Sequence, residues 1–129
     1  MLASGQASSC EYFALQIGLS YADSPKYRLD GCVKDIENMS GFFRQRRVVF
    51  CAHVVCSDKI TSIDATHKLG GSRSEILSGM KLTMDAMMIQ SVAVNKFLFF
   101  NFSGHGTQVR DGHGDEEVYR GLFRRGFVS

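Results

Sequence analysis

His105 stands between two glycines in Ser103-Gly104-His105-Gly106, directly after the apolar run Phe97-Leu98-Phe99-Phe100-Asn101-Phe102. Imidazole is the side chain whose ordinary pKa lies nearest neutrality, so a histidine left uncrowded by its neighbours can take and return a proton. The plainer reading is a structural loop histidine. Four cysteines, Cys10, Cys32, Cys51 and Cys56, all precede it. None forms a Cys-x-x-Cys pair, and with no export signal ahead of them they read as free thiols. Asp111, Asp115, Glu116 and Glu117 place carboxylates in one glycine-containing loop, a density of hard oxygen ligands that suits calcium. A solvated acidic loop is the alternative, and His113 within it raises a transition-metal pair with His105.

Two further chemistries are weaker. Arg44, Arg46 and Arg47 could hold a phosphate, but basic residues without interleaved aromatics at the end of a helical pattern suit the carbonyl end of the helix dipole. Gly70-Gly71-Ser72 lacks the lysine of a phosphate loop, whereas Ser72 with Glu75 three residues on forms a capping-box pattern.

A proton-transferring residue acts only where other elements hold it. Residues 1–11 are rich in Ala, Ser and Gly and read as a loose lead-in. Tyr12 to Leu19 is apolar with little alternation, the pattern of a strand covered on both faces, and Asp23, Ser24 and Pro25 mark the loop after it. From Gly31, Cys32, Ile36, Met39 and Phe43 recur at helical spacing. Val48 to Cys56 predicts a second buried strand ended by Ser57-Asp58, and residues 57–71 show no clean period. The helix opened by Ser72 carries Ile76, Met80, Met84, Met87 and Met88 on one stripe, read as core packing. Phe97 to Phe102 predicts a buried central strand, and 118–129 has neither strand nor helix pattern.

Strand, helix, strand, helix, strand predicts a parallel α/β sheet with right-handed crossovers. Such a topology puts Ser20 to Ser24, Ser57-Asp58 and Ser103 to His105 at the carboxyl ends of strands, where ligands bind in these sheets. The 129 residues make one domain at most, and 15 Lys plus Arg against 13 Asp plus Glu leave a net charge of +2. That balance gives no ground for nucleic acid or membrane partners. No segment approaches the ~18 apolar residues of a spanning helix, so a cytoplasmic protein is the expectation.

Taken together, these stretches resemble the caspase-like cysteine peptidases, and among them the metacaspases. ALQIGLSY (14–21) is similar to that family's opening strand, LDGCVKDIENM (29–39) to its Gly-Cys-x-x-Asp helix, FLFFNFSGHGTQ (97–108) to its catalytic-histidine strand, and DGHGDEE (111–117) to the acidic segment that follows. The resemblance implies a three-layer parallel caspase-like sheet with flanking helices, here incomplete at about three strands and two helices. It implies a lead-in over 1–11, a partial peptidase domain over 12–117 and a divergent arginine-rich tail over 118–129.

The mechanism implied is a Cys/His dyad, in which a thiolate attacks a peptide carbonyl and His105 handles the proton. Ser103, Cys32 and Asp35 would line a pocket for Arg or Lys before the cleaved bond, where a carboxylate makes a charge-assisted hydrogen bond to a basic side chain. For Asp35 the alternative is a first-turn helix residue favoured by the dipole. Asp30 replaces the basic residue that relatives carry before the glycine. Calcium is a further implied activator, with Asp111, Asp115 and Glu117 as ligand candidates.

The family's nucleophile lies in a later Asp-Ser-Cys-x-x-Gly segment, and no cysteine follows Cys56. The sequence therefore resembles the N-terminal half of a metacaspase catalytic domain, cut by truncation, splicing or a frameshift near residue 117, and is expected to be inactive alone. A polypeptide substrate and a full-length metacaspase relative are the expected partners. The second reading is a non-catalytic regulator docking on that relative; the third is an unrelated hydrolase or metal-binding domain using His105, His113 and Asp115.

Overall fold

The computed structural model of the chain describes residues 9–89, 95–106, 108–110 and 117–119, the last two segments by their backbone alone. Strand β1 (Cys10–Gly18) is followed by helix α1 (Cys32–Gln45), β2 (Ala52–Ser57), β3 (His67–Leu69), α2 (Arg73–Met87) and β4 (Asn95–Ser103). These four strands form one parallel sheet in the order β3-β2-β1-β4. Two short strands, β5 (Gln108–Arg110) and β6 (Glu117–Tyr119), pair antiparallel apart from it.

The burial of β1 follows from its interior place in the sheet: Phe13 to Gly18 are all buried. Successive side chains of a strand point to opposite faces. On one face Leu15, Ile17 and Leu19 pack with Val54 and Cys56 of β2 and with Ile76 of α2. On the other, Ile36 of α1 packs on Val55 and Ile63. The helices thus cover opposite faces, giving the three-layer α/β fold that the strand and helix grammar predicts. Each fully buried Leu, Ile or Val contributes about 1.5–3 kcal/mol.

Four local expectations are corrected. The strand from Phe97 is an edge strand of the described sheet, not a central one, and Phe97, Leu98 and Phe100 remain 55%, 42% and 49% exposed. Next, β2 begins at Ala52 rather than Val48. Arg47 adopts a left-handed backbone with φ 57°, its N–H donates to the Arg44 carbonyl, and the Val48 N–H donates to the Phe43 carbonyl. That closing pattern ends α1 as a Schellman motif, so residues 48–51 are spent turning toward the sheet. Third, the stretch 57–71 contains β3, whose three residues are too few to print a period.

The fourth correction concerns α2. Its buried residues are Ile76, Gly79 and Thr83, while Met84 and Met88 are exposed. A Cβ on Gly79 would lie 2.7 Å from the Cys56 Sγ, so this glycine lets the helix approach β2; Met80 still packs against the core, while Met84 and Met88 face outward. Thr83 donates its buried hydroxyl to the Gly79 carbonyl at 2.8 Å. The capping box is formed: the Ser72 hydroxyl accepts the Glu75 N–H, and the Glu75 carboxylate accepts the Ser72 N–H. Hydrogen bonds from the Ser72 side chain and from the Gly70 and Ser72 backbones hold the Glu75 carboxyl below its ordinary pKa.

Candidate active site

Three strand ends meet at the carboxyl edge of the sheet. Beyond β1 the Leu19 N–H donates to the Ser103 carbonyl at 3.0 Å. Asp58, the first residue after β2, reaches across to the next turn. Its carboxylate accepts the Ser20 N–H at 2.8 and 3.1 Å, the Ser20 hydroxyl at 3.0 Å and the Tyr21 N–H at 2.7 Å. Tyr21 itself has φ 54°. The loop that follows is closed by Ser24 N–H to Tyr21, Tyr27 N–H to Ser24 and Leu29 N–H to Ser20 carbonyl bonds.

That loop receives His105. The Tyr21 hydroxyl accepts the His105 backbone N–H at 3.2 Å, and the two rings lie 4.9 Å apart between centroids. Gly104 permits the approach, because a Cβ there would sit 2.9 Å from the Phe102 ring and 3.1 Å from the Tyr21 hydroxyl. Among the described residues nothing comes within 4 Å of a Cβ placed on Gly106. The imidazole Nε2 bonds the Tyr27 carbonyl oxygen. A carbonyl can only accept, so Nε2 carries the proton, and in the neutral ring Nδ1 is the nitrogen with a lone pair. His105 is thus held at both backbone and ring.

Ser103 and Asp35 are brought together: the serine hydroxyl donates to the Asp35 carboxylate at 2.7 Å. Asp35 lies in the first turn of α1 and is exposed. Cys32 opens the same helix with its side chain buried. The three pocket candidates therefore flank the strand end that carries His105.

The remaining cysteines do not join them. Cys10 begins the nine-residue β1, which places it on the order of 25 Å of strand from the carboxyl edge. Cys51 donates its N–H to the Tyr12 carbonyl, also toward the amino edge. Cys56 is buried in the core, and burial, helped by the Glu75 charge, pushes its thiol up to about 12. A thiol so disposed resists forming the nucleophilic thiolate.

Among the described residues no three His, Cys, Asp or Glu side chains gather as a metal site. Asp111, Asp115, Glu116 and His113 lie outside the described residues, and Glu117 is described only by its backbone in β6, so no calcium step enters the chemistry. No described helix is long and apolar enough to cross a membrane. The four cysteines form no disulfide with one another.

Four residues at or near the site were given no role from sequence, although Asp58 and Tyr21 fall in stretches placed at the carboxyl edge. Asp58 and Tyr21 carry a partial signal, since both follow strands in a parallel sheet, yet neither type is distinctive there. Tyr27 acts through its carbonyl, which every residue has. Gln16 is fully buried on the α1 face, donating to the Ser40 hydroxyl and to His53 Nε2 and accepting from the Asn101 amide. A glutamine inside an apolar strand is the only trace such a network leaves in sequence.

The match to the family model for the metacaspase, peptidase C14 domain runs over residues 13–126. The chain is 33% identical over 105 residues to metacaspase-1B of Aspergillus fumigatus, covering 81% of this chain and 23% of that protein. It is 31% identical over 104 residues to metacaspase-1 of Ajellomyces capsulatus, covering 81% and 27%, and 32% identical over 104 residues to metacaspase-1 of Kluyveromyces lactis, covering 81% and 22%. The chain spans about a quarter of the length of the curated relatives it matches.

Proposed function

Since the chain belongs to the metacaspase family of cysteine peptidases, we propose that it supplies the proton-transferring part of a Cys/His endopeptidase site. In this reading His105 is the catalytic histidine: Nδ1 takes the proton of a cysteine thiol as the thiolate attacks the peptide carbonyl, and returns it to the departing amine. Ser103, Asp35 and Cys32 line the pocket for an Arg or Lys side chain before the cleaved bond. The Asp35 carboxylate, already bonded to Ser103, would exchange part of that contact for a charge-assisted bond to the basic substrate. The observation that carries the reading is the bond from His105 Nε2 to the Tyr27 carbonyl, which fixes the ring and leaves Nδ1 as the acceptor.

In this reading none of the chain's four cysteines is the nucleophile: Cys56 is held as a thiol, Cys10 and Cys51 lie toward the amino edge, and Cys32 belongs to the pocket candidates. The chain alone is accordingly inactive. Hydrolysis of an Arg- or Lys-terminated fluorogenic peptide by the purified chain, abolished by His105→Ala, would overturn this. The site itself is tested in a chimera joining residues 13–126 to the polypeptide that follows the matched region in the Aspergillus fumigatus relative. Cleavage after Arg is expected, with His105→Ala lowering kcat roughly 10²–10⁴-fold and Asp35→Asn raising KM for basic substrates. An active chimera indifferent to His105→Ala would reject the assignment.

A second reading rests on β4, an edge strand of the described sheet on which Phe97, Leu98 and Phe100 stay exposed. Through that edge the chain would dock on a full-length metacaspase as a non-catalytic regulator. Co-purification with the relative that is lost on β4 substitution supports it, and no binding rejects it.

A further inference from the structure

We propose that Asp58 is a positioning residue for His105, acting through Tyr21. The inference rests on the reading of His105 as the proton-transferring group. Asp58 contributes nothing to the pocket candidates; its carboxylate is directed wholly at the turn after β1. Both oxygens are used, by the Ser20 N–H, the Ser20 hydroxyl and the Tyr21 N–H. Tyr21 has φ 54°, a left-handed conformation that residues with a Cβ avoid. The carboxylate offsets that cost by capturing the very N–H that this conformation presents.

The consequence is carried by the tyrosine side chain. With its backbone fixed, Tyr21 places its hydroxyl at the His105 N–H, 3.2 Å away, and its ring 4.9 Å from the imidazole. Gly104 leaves the space that this contact fills. Tyr21 therefore fixes where the backbone of His105 lies, while the Tyr27 carbonyl fixes the rotation of its ring. Asp58 also links two strand ends: it follows β2, and the turn it grips follows β1. The histidine at the end of β4 is thereby registered against its neighbour β1 and, through Asp58, against β2 beyond it.

An asparagine at this position has one acceptor oxygen, and its NH₂ would face backbone N–H donors, so Asp58→Asn breaks the two-oxygen clamp with little change in size. Tyr21→Phe removes only the hydroxyl. Both variants are made in the full 129-residue chain, labelled for NMR, and three signals are followed: the His105 amide exchange rate, the Tyr21–His105 ring cross-peaks, and the exchange of Val54 and Val55 in the core of β2.

Asp58→Asn is expected to speed His105 amide exchange roughly tenfold and to remove the ring cross-peaks, with Val54 and Val55 unchanged. Tyr21→Phe is expected to keep the ring contact and speed the His105 amide roughly threefold or more. Unchanged His105 signals in Asp58→Asn, or equal loss of protection at Val54 and Val55, overturn the proposal, the latter because Asp58 would then be a general stabiliser. If Asp58→Asn does not fold, Tyr21→Phe decides: an unchanged His105 amide rate rejects the relay. None of these signals involves hydrolysis, so failure here is distinct from failure of the peptidase reading, which the chimera tests.

Discussion

Two histidines of this chain meet opposite fates because of what surrounds them. His105 lies at the open carboxyl edge, bonded through Nε2 to a carbonyl. His53 is buried on the α1 face, where its Nε2 is paired with the Gln16 amide at 2.9 Å; an amide nitrogen donates, so Nε2 accepts and the ring is held neutral. Burial lowers its pKa from the ordinary 6.5, against a smaller opposing pull from the Asp64 charge. The sign of the pH effect follows. The unfolded chain binds this proton more readily than the folded one, so stability is full above pH 6.5 and is lost as pH falls from there through the lower folded value. Urea midpoints should therefore drop between about pH 7.5 and about pH 5.5, and His53→Gln should flatten that drop. An unchanged slope in the variant would mean that another group governs it. Glu75 acts in a separate window: its lowered pKa gives stability present above 4.5 and lost only below.

At the scale of elements, the two mid-helix glycines test whether packing or propensity governs each helix. Gly41 lies within α1 with nothing within 4 Å of an added Cβ, whereas the same methyl on Gly79 of α2 would stand 2.7 Å from the Cys56 Sγ and 3.3 Å from Val54. Gly41→Ala should raise stability by about 0.5–1 kcal/mol, the helix propensity gain. Gly79→Ala receives the same gain but incurs overpacking of about 1–3 kcal/mol, so it should be net destabilising. Urea denaturation of the two variants should show shifts of opposite sign; shifts of the same sign would mean that α2 sits less tightly on β2 than its geometry requires. This pair also marks what was legible beforehand. Helical spacing and the capping box located both helices, and apolar runs located β1 and β4. The stripe of α2 reaches the core at Ile76 and Met80 but not at Met84 and Met88, because Gly79 and Thr83 complete the buried face and neither has the apolar signature that periodicity counts. The start of β2 was misplaced because Val48 to Phe50 are apolar yet belong to the turn after Arg47. At the candidate site, His105, Ser103 and Asp35 were named through family resemblance, while the Ser103–Asp35 bond and the Asp58–Tyr21–His105 chain depend on side-chain contacts and a backbone angle that no residue type announces.

For the whole molecule, the decisive feature is the asymmetry of the sheet. β1 is covered on both faces, and β4 beside it is not: Phe97, Leu98 and Phe100 are exposed, and Met84, Met88 and Ile89 of the α2 end are exposed as well. Leu98 and Phe100 alternate onto the face that α2 covers, so the apolar surface of the helix end and of the strand lies on the same side of the sheet. The outer edge of β4 pairs with no strand of the described sheet. Exposed apolar surface of this kind, joined to an unpaired strand edge, favours association of one copy with another. The purified chain is therefore expected to self-associate reversibly at concentrations on the order of tens of micromolar, the range in which such edges pair. The double variant Leu98→Glu, Phe100→Lys removes apolar area from that face and leaves the β1 pairing and the His105 loop in place. Sedimentation velocity should show the average mass rising with concentration for the unaltered chain and holding at the monomer value for the variant. A monomer at every concentration in the unaltered chain would reject the prediction. An unaltered rise in the variant would place the contact elsewhere and remove the physical support for docking through β4.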